Sequence, residues 1–343
     1  MKRYNTAIIG ATGAVGQEFL RLIEERNFPF GELKMLASSR SAGKTITFMG
    51  KDYTVEETTE KSFDGVQIAL FAGGAASKLF APAAVKAGAV VIDNSSNFRM
   101  DPNVPLVVPE VNPQAIARHK GIIANPNCST IIMVMALKPL YDISKIKRVV
   151  VSTYQAVSGA GREGMDELKN QLDALAHGEE AQAKVLPVAK LDKHYQIASN
   201  LLPQIDVFMD NLYTKEEMKM VDETRKIMED DDLRVTATTI RVPVYRSHAE
   251  SVNVEFADDV SVDAARQALE NFPGVIVRDN PAEMIYPQPL ETSGKDDVAV
   301  GRIRKDFSIA HGLNLWVCGD QIRKGAALNA LQIAEYMIAN EMI

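Results

Sequence analysis

One of the two cysteines, Cys128, lies in the polar run NPNCST at residues 125–130, directly before an apolar stretch. This pattern predicts a thiol at a helix start, where the positive end of the helix dipole favours a thiolate. Backbone N–H groups there and the amide of Asn127 are placed to stabilise an oxyanion. A lone cysteine is commonly a small buried hydrophobe, and we assign that role to Cys318 in its apolar strand pattern. Cys128 is therefore the candidate nucleophile.

A thiolate nucleophile usually works with a base, and the chain has five histidines. His248 lies beside two arginines, in a predicted turn between two long strands, which suits acid–base work on an anionic substrate. His194 and His311 stay open as alternatives, because spacing alone does not rank them far below His248. His119 and His177 lie in polar or helical stretches that are typical of the surface.

A glycine-rich turn at residues 10–16 follows the first apolar strand and opens a helix. Gly10, Gly13 and Gly16 allow a tight turn and close approach of a pyrophosphate, which the N–H groups at the helix start would then face. A glycine pattern alone is weak evidence, but its place between a first strand and a helix strengthens it. The alternative is a tight strand-to-helix turn that holds no ligand.

The end of the second predicted strand discriminates between nicotinamide cofactors. An NAD site usually has an acidic residue there, whereas this chain continues with SSRSAGK at residues 38–44. Its hydroxyls, among them Ser38 and Ser41, and its two cations, Arg40 and Lys44, suit a 2′-phosphate, so the sequence favours NADP. The alternative is a solvated basic loop.

Composition limits the classes of function. The chain has 343 residues and a net charge of −7, which disfavours nucleic acid and anionic membranes as partners. Two cysteines at this spacing build neither a disulfide framework nor a metal knuckle, so we expect no metal site. The N-terminus has no signal-peptide pattern and no apolar run long enough to span a membrane. We therefore expect a cytoplasmic protein with free thiols.

Two domains are predicted to position these residues. Strand and helix patterns alternate in the first third, which indicates an α/β fold with a Rossmann-type, doubly wound parallel sheet. Long β-branched strands after residue 130 indicate an α+β domain with a mixed sheet. The last helix pattern is expected to return to the first domain. The predicted domains are residues 1–127 with 322–343 for the dinucleotide, and 128–321 for catalysis and dimerisation.

Taken together, several motifs in order give the chain a strong resemblance to the aspartate-semialdehyde dehydrogenase family, over essentially its whole length. The motifs are the glycine turn at 10–16, NSSNFR at 94–99, NPNCST at 125–130, TYQAVSGAG at 153–161, EEMK at 216–219, RVP at 241–243 with His248, and RKGAA at 323–327. The resemblance implies NADPH-dependent reductive dephosphorylation of aspartyl phosphate to aspartate semialdehyde, and the reverse. This reaction serves the biosynthesis of lysine, threonine, methionine and diaminopimelate.

The resemblance also implies roles for individual residues in the chemistry. Cys128 would form the thioacyl intermediate, with Asn127 beside it. His248 would be the acid/base for the thiol and thiohemiacetal protons, and Gln155 would orient the intermediate.

Each charge of the substrate would find its opposite. Arg241 would bind the carboxylate through a bidentate fork and Glu216 the ammonium, while Arg99 and Lys219 would bind phosphate. Without the resemblance, Glu216 and Lys219 would be interpreted as a solvated ion pair three residues apart on one helix face.

The resemblance implies further cofactor contacts and an assembly. In the glycine turn, Thr12, Gly13, Ala14 and Val15 would contact the phosphates, and Arg40 with Ser41 would bind the 2′-phosphate. Gly73, Ser158 and Gly159 would line the dinucleotide cleft. Gln321 stands where relatives often have asparagine near the nicotinamide, and this change keeps an amide. The family also suggests a homodimer or a dimer of dimers.

Two rival interpretations remain. The nearer one is a related acylating dehydrogenase, such as N-acetyl-glutamyl-phosphate reductase or glyceraldehyde-phosphate dehydrogenase. Those substrates have no free ammonium and would leave Glu216 without a role. The other is a non-catalytic dinucleotide-binding protein on the same fold, which would bind NADP without turnover.

Overall fold

The computed structural model describes residues 2–343, which form two compact units. The first unit comprises Met1–Asn127 and Gly325–Ile343, and the second comprises Cys128–Lys324. The strands of the first unit are β1 (Tyr4–Ile9), β2 (Phe30–Ala37), β3 (Thr45–Phe48), β4 (Lys51–Thr54), β5 (Glu56–Glu57), β6 (Ile68–Phe71), β7 (Val90–Asp93) and β8 (Ile122–Ala124). Those of the second are β9 (Ile146–Gln155), β10 (Arg234–Arg241), β11 (His248–Phe256), β12 (Val275–Val277), β13 (Val298–Asp306) and β14 (Gly312–Gly319).

The α-helices follow the same division. The first unit contains α1 (Ala14–Glu25), α2 (Gly74–Lys86) and α8 (Leu328–Ala339). The second contains α3 (Cys128–Tyr141), α4 (Gly161–Ala176), α5 (Lys215–Met228), α6 (Val262–Glu270) and the short α7 (Pro289–Thr292). Helix α5 begins with a capping box, in which Thr214 accepts from the N–H of Glu217 while the Glu217 carboxylate accepts from the N–H of Thr214.

The first unit is built on a parallel six-stranded sheet in the order β5-β2-β1-β6-β7-β8. Two hydrophobic cores lie on its faces. One contains apolar side chains of α1 and α8 together with Ile8 and Leu70, and the other contains Ala81 and Ala84 of α2 together with Ile9. Helices therefore cover both faces, as parallel sheets require, because their strands are apolar on both sides.

The strand order reverses between β1 and β6, which makes this the topological switch point of the sheet. Ligands of doubly wound sheets bind outside the carboxyl ends of the strands at such a point. The loops that begin at Gly10 and at Gly73 follow β1 and β6. The fold therefore places both predicted cofactor loops at the expected crevice.

The second unit has a mixed six-stranded sheet in the order β10-β9-β11-β14-β13-β12. The pairs β9–β10 and β12–β13 are parallel, while β11 and β14 run antiparallel to their neighbours. Helices α3, α5 and α6 pack on this sheet, and α3 contacts both of the others. The predicted fold class, a Rossmann-type parallel sheet with an α+β domain that has a mixed sheet, is confirmed.

Candidate active site

Cys128 is the first residue of α3, as the polar run before it predicts. The rest of this helix is buried on almost every side, so the helix is fixed within the second unit while the thiol at its start remains half-buried. The Sγ atom of Cys128 lies 3.5 Å from Nε2 of His248. A thiol at the positive end of a helix and in contact with an imidazole has the surroundings of a reactive cysteine.

Cys318 has the opposite surroundings. Its side chain is fully buried in β14, and burial raises the pKa of its thiol. The prediction that Cys318 is a small buried hydrophobe is confirmed.

His248 is fully buried at the first position of β11. Its Nδ1 accepts a hydrogen bond of 3.1 Å from the backbone N–H of Ala156, which turns Nε2 toward Cys128. Burial, and then the positive charge of Arg241, lower the pKa of His248 well below 6.5. The ring is therefore neutral near pH 7, and because Nδ1 is an acceptor, the proton of the neutral ring lies on Nε2.

The other candidate bases, His194 and His311, have different neighbours, and Nε2 of His194 is buried without a hydrogen-bond partner within residues 2–343. The Nδ1 atom of His311 lies 3.9 Å from a carboxylate oxygen of Asp259, and both side chains are substantially exposed. His177 is exposed at the end of α4 and contacts the backbone oxygen of Asp173.

Arg241 and Gln155 end two neighbouring parallel strands and are partners in the register of β10 and β9. The Arg241 guanidinium is 4% exposed and donates to the backbone oxygen of Ala156 at 2.8 Å. Burial lowers the pKa of Arg241, while the negative charges of Glu216 and Cys128 oppose that shift. A buried guanidinium next to the thiol and the imidazole is a strong site for a carboxylate.

Glu216 accepts hydrogen bonds from the amide of Gln155 and from the ammonium of Lys219. Gln155 Nε2 donates to Glu216 Oε1 at 3.3 Å, and Lys219 Nζ donates to Glu216 Oε2 at 3.2 Å. Lys219 also donates to Asp206 at 3.0 Å. The ion pair suggested by the helix spacing is thus present, but Glu216 is only 5% exposed and contacts Gln155. A solvated surface pair does not describe this arrangement.

Gly159 lies against the charged groups of the second unit. A Cβ atom on Gly159 would meet the Arg241 guanidinium at 2.6 Å and the His248 ring at 3.5 Å. Gln321 accepts from the N–H of Ser247 at 2.7 Å and donates to the hydroxyl of Ser158. These predicted cofactor residues therefore also pack against the residues that hold His248.

The glycine turn of the first unit has the geometry of a phosphate loop. Gly10 has a φ of +86°, and a Cβ atom on Gly16 would lie 2.3 Å from the Gly10 oxygen, so both positions require glycine. Gly13 is the N-cap of α1, and no side chain caps this helix. Ala14 and Val15 form its first turn, where N–H groups lack partners within the helix. A diphosphate fits such a helix start.

The basic loop at 38–44 lies next to this turn. The Thr12 hydroxyl donates to the Ser41 hydroxyl at 3.4 Å, and Ser41 N–H bonds back to the Ser38 oxygen at 2.8 Å. Arg40 is exposed at the tip of the loop. Gly73 is the N-cap of α2, and a Cβ atom there would meet nothing within 4 Å. These residues fit a dinucleotide with a 2′-phosphate.

Arg99 belongs to the first unit and is 7% exposed. Its Nε donates to the backbone oxygen of Asn125 at 2.9 Å, and one terminal nitrogen donates to the backbone oxygen of Asn94 at 2.8 Å. Asn127 is also buried, directly before Cys128 in the chain. Both of these acceptors are backbone carbonyls.

Sequence reasoning missed two acidic residues of the second unit, Asp206 and Glu250. Asp206 is the second carboxylate on Lys219. Glu250 lies two residues after His248 and is fully buried, and both of its carboxylate oxygens lack a hydrogen-bond partner within residues 2–343. Burial, and then the charge of Glu216, raise the pKa of Glu250 well above 4.5. No local sequence signal marks either residue, because each depends on contacts formed by folding.

Within the part of the chain that the structure describes, no helix is long and apolar enough to cross a membrane. The same residues contain no cluster of three or more histidine, cysteine or acidic side chains that could hold a metal ion.

Each of the two units matches a family of known proteins. Residues 5–119 match a family model described as semialdehyde dehydrogenase, NAD binding domain, and residues 137–324 match one described as semialdehyde dehydrogenase, dimerisation domain. A Rossmann-type sheet followed by a mixed-sheet unit with a cysteine–histidine pair defines the class of two-domain semialdehyde dehydrogenases.

Individual relatives show which family within this class the chain resembles. The chain is 56% identical to aspartate-semialdehyde dehydrogenase from Aquifex aeolicus, over 99% of both chains, and 54% identical to that from Bacillus subtilis, over 96% of both. A crystal structure of aspartate semialdehyde dehydrogenase II from Vibrio cholerae complexed with ASA matches with a TM-score of 0.93 and 49% identity, over 99% of both chains. The chain belongs to the aspartate-semialdehyde dehydrogenase family, as its motifs predict.

Proposed function

We propose that this chain catalyses the NADPH-dependent reductive dephosphorylation of L-aspartyl 4-phosphate to L-aspartate 4-semialdehyde, and the reverse reaction. The observation that carries this proposal is the 3.5 Å approach of Cys128 Sγ to His248 Nε2, with the buried Arg241 beside the pair. A nucleophile, a ring nitrogen and an anion site are the groups that acyl transfer to a thiol requires.

In the oxidative direction, the Cys128 thiolate attacks the aldehyde carbon and forms a thiohemiacetal oxyanion. Because His248 is neutral and carries its proton on Nε2, we assign it the hydrogen bond that stabilises first the thiolate and then this oxyanion. We assign support of the same charge to Asn127 and to the N–H groups at the start of α3. Removal of hydride leaves a thioester on Cys128, and phosphate then attacks it and releases the thiolate.

The substrate charges determine its orientation. We assign the substrate carboxylate to Arg241, whose planar fork accepts both oxygens, and the ammonium to Glu216. Gln155 lies between these groups, since it is in register with Arg241 and bonds to Glu216. Phosphate is assigned to Arg99 and Lys219.

The residues of the first unit fit NADP. Gly10, Thr12, Gly13, Ala14 and Val15 would hold the diphosphate at the start of α1, and Ser38, Arg40 and Ser41 would hold the 2′-phosphate. Further contacts are assigned to Gly73, Ser158, Gly159 and Gln321. When bound, the nicotinamide supplies the hydride acceptor or donor. A structure of aspartate semialdehyde dehydrogenase from Candida albicans with NADP, 27% identical over 100% of both chains, has a TM-score of 0.76.

We assign cofactor binding to the first unit, and catalysis and dimerisation to the second. The family model that matches residues 137–324 is described as a dimerisation domain, which supports a homodimer. We propose this assembly, or a dimer of such dimers, and a cytoplasmic location for the reaction.

A steady-state assay with aspartate semialdehyde, phosphate and NADP tests the proposal. The wild-type protein should reduce NADP, whereas Cys128→Ala should lose essentially all activity because no thioester can form. Cys318→Ala is the matched control and should keep its activity, since that thiol is buried in β14. An equally active Cys128→Ala variant would show that Cys128 is not the nucleophile.

Two further measurements separate this proposal from its rivals. Rapid-quench mass spectrometry with aspartyl phosphate and no NADPH should detect an acyl adduct on Cys128 of the wild type. Faster turnover of N-acetylglutamate semialdehyde than of aspartate semialdehyde would favour the related reductase. Binding of NADP with no turnover of either substrate would favour a non-catalytic protein.

A further inference from the structure

Three buried or half-buried asparagine amides form a hydrogen-bonded chain in the first unit, which we call the amide ladder. Asn329 on α8 donates to the side-chain oxygen of Asn125 at 2.7 Å. Asn125 donates to the side-chain oxygen of Asn94 at 2.9 Å, and Asn94 donates to the backbone oxygen of Phe71 at 2.9 Å. Asn329 also donates to the backbone oxygen of Val107 at 2.9 Å. The ladder thus connects the last helix to the ends of β6, β7 and β8.

The ladder has one direction. At Asn94 and Asn125 the amide oxygen accepts from the preceding member, and the NH₂ group donates onward. Asn329 is fully buried and Asn125 is 1% exposed, so water does not replace these bonds. A carboxylate at position 329 would place an oxygen against two acceptors, those of Asn125 and Val107. Burying unmatched acceptors is costly, so the ladder specifies amides.

Two members of the ladder also contact Arg99, the residue to which phosphate binding is assigned. The backbone carbonyls that hold Arg99 belong to Asn125 and Asn94, at 2.9 and 2.8 Å. These are the same two residues whose side chains the ladder joins. A change in the Asn125–Asn94 contact would therefore move two backbone acceptors that hold the Arg99 guanidinium.

We propose that Asn329 is a positioning residue for phosphate, which acts through the ladder on Arg99. This inference rests on the proposed function, because it takes the reaction to use phosphate at Arg99. Binding of an oxyanion to a guanidinium depends on the orientation of its planar fork, so a small rotation of Arg99 weakens phosphate more than substrates bound elsewhere.

The test measures three Michaelis constants in the oxidative direction for Asn329→Asp and Asn329→Ser. We expect the KM for phosphate to rise about tenfold, the effect of losing one hydrogen bond to a charged group. The KM values for aspartate semialdehyde and NADP should stay within about twofold, because Arg99 is assigned to phosphate and other residues bind these two substrates. Asn340→Asp is the control. Asn340 lies exposed at the C-terminal end of the same helix, outside the ladder, and its amide donates to the backbone oxygen of Tyr336.

A second measurement distinguishes positioning from a general loss of structure. Arg99→Lys removes the fork, so in that background Asn329→Ser should add little to the KM for phosphate in a double-mutant cycle. Equal rises in all three constants, or an unchanged phosphate KM in a folded variant, would overturn the proposal. If Asn329→Asp does not fold, Asn329→Ser decides. A wild-type protein that does not oxidise aspartate semialdehyde would refute the proposed function instead.

Discussion

Replacing His248 tests whether its ring acts as a hydrogen-bond donor or as a proton carrier. The ring receives the Ala156 N–H at Nδ1 and directs Nε2 toward Cys128 at 3.5 Å. His248→Leu removes the donor, whereas His248→Gln offers an amide N–H that reaches the position of Nε2. Both variants lose the ring acceptor for Ala156, so they form a matched pair.

The magnitudes follow from these contacts. Removing one preorganised donor to an oxyanion costs about 10²–10³ in rate, so kcat/KM of His248→Leu should fall by that factor. A hydrogen bond to a charged group contributes about 1.5–3 kcal/mol, and 1.4 kcal/mol is a factor of ten. His248→Gln should therefore be at least about tenfold more active than His248→Leu. In both, the unpartnered Ala156 N–H should lower stability by about 1–3 kcal/mol.

The assay follows NADPH absorbance with aspartate semialdehyde and phosphate, together with thermal unfolding. His177→Gln serves as the control, because His177 is exposed at the end of α4. In histidine-labelled protein, the His248 ring resonance should stay at its neutral position from about pH 8 to about pH 6, where an ordinary histidine titrates. A glutamine variant as inactive as the leucine variant would refute the donor role and require proton exchange by the ring.

Two further predictions concern charges elsewhere in the protein. The folded-state pKa of Glu250 is raised above 4.5, so its contribution to stability is fully present below that pH and is lost as pH rises toward the folded-state pKa. The glutamine in Glu250→Gln does not titrate, so the stability of this variant relative to the wild type should rise by up to about 1.4 kcal/mol per pH unit in that range. Thermal unfolding of both proteins at acidic and alkaline pH checks this prediction. A stability difference that does not grow with pH would contradict it. Arg40→Glu replaces an exposed cation at the proposed 2′-phosphate site, so Kd for NADP should rise at least about tenfold while Kd for NAD changes little. Lys61→Glu is the control for the change of charge, because Lys61 is exposed and lies outside the cofactor loops. An equal loss of affinity for NADP and NAD in Arg40→Glu would contradict the assignment.

Local signals in the sequence predicted the elements that depend on nearby residues. Strand β1 (Tyr4–Ile9) ends directly before the glycine turn, as predicted, and Cys128 begins a helix because an apolar run follows a polar turn. Gly10 and Gly16 were marked by spacing, and the structure shows why a side chain would not fit at either. In each case, the physical cause lies within a few residues of the signal.

Features set by distant contacts were less predictable. The residues around His248 were expected to form a turn, but β11 begins at His248, because pairing with β9 and β14 extends the strand. The burial of Glu250 follows from the same pairing. Asn329 lies more than two hundred positions from Asn125, and nothing in its neighbourhood marks it. Motifs identified the chemistry, while contacts distant in sequence determined which amides and carboxylates support it.

The sheet of the second unit explains how such distant residues reach fixed separations. Gln155 ends β9, Arg241 is its register partner at the end of β10, and His248 opens β11 on the other side of β9. Neighbouring strands lie about 4.8 Å apart, so this row spans the length of a small substrate. A slip of one residue in either pairing would turn a side chain to the opposite face. The identity of the substrate therefore depends on strand register as much as on the reactive residues themselves.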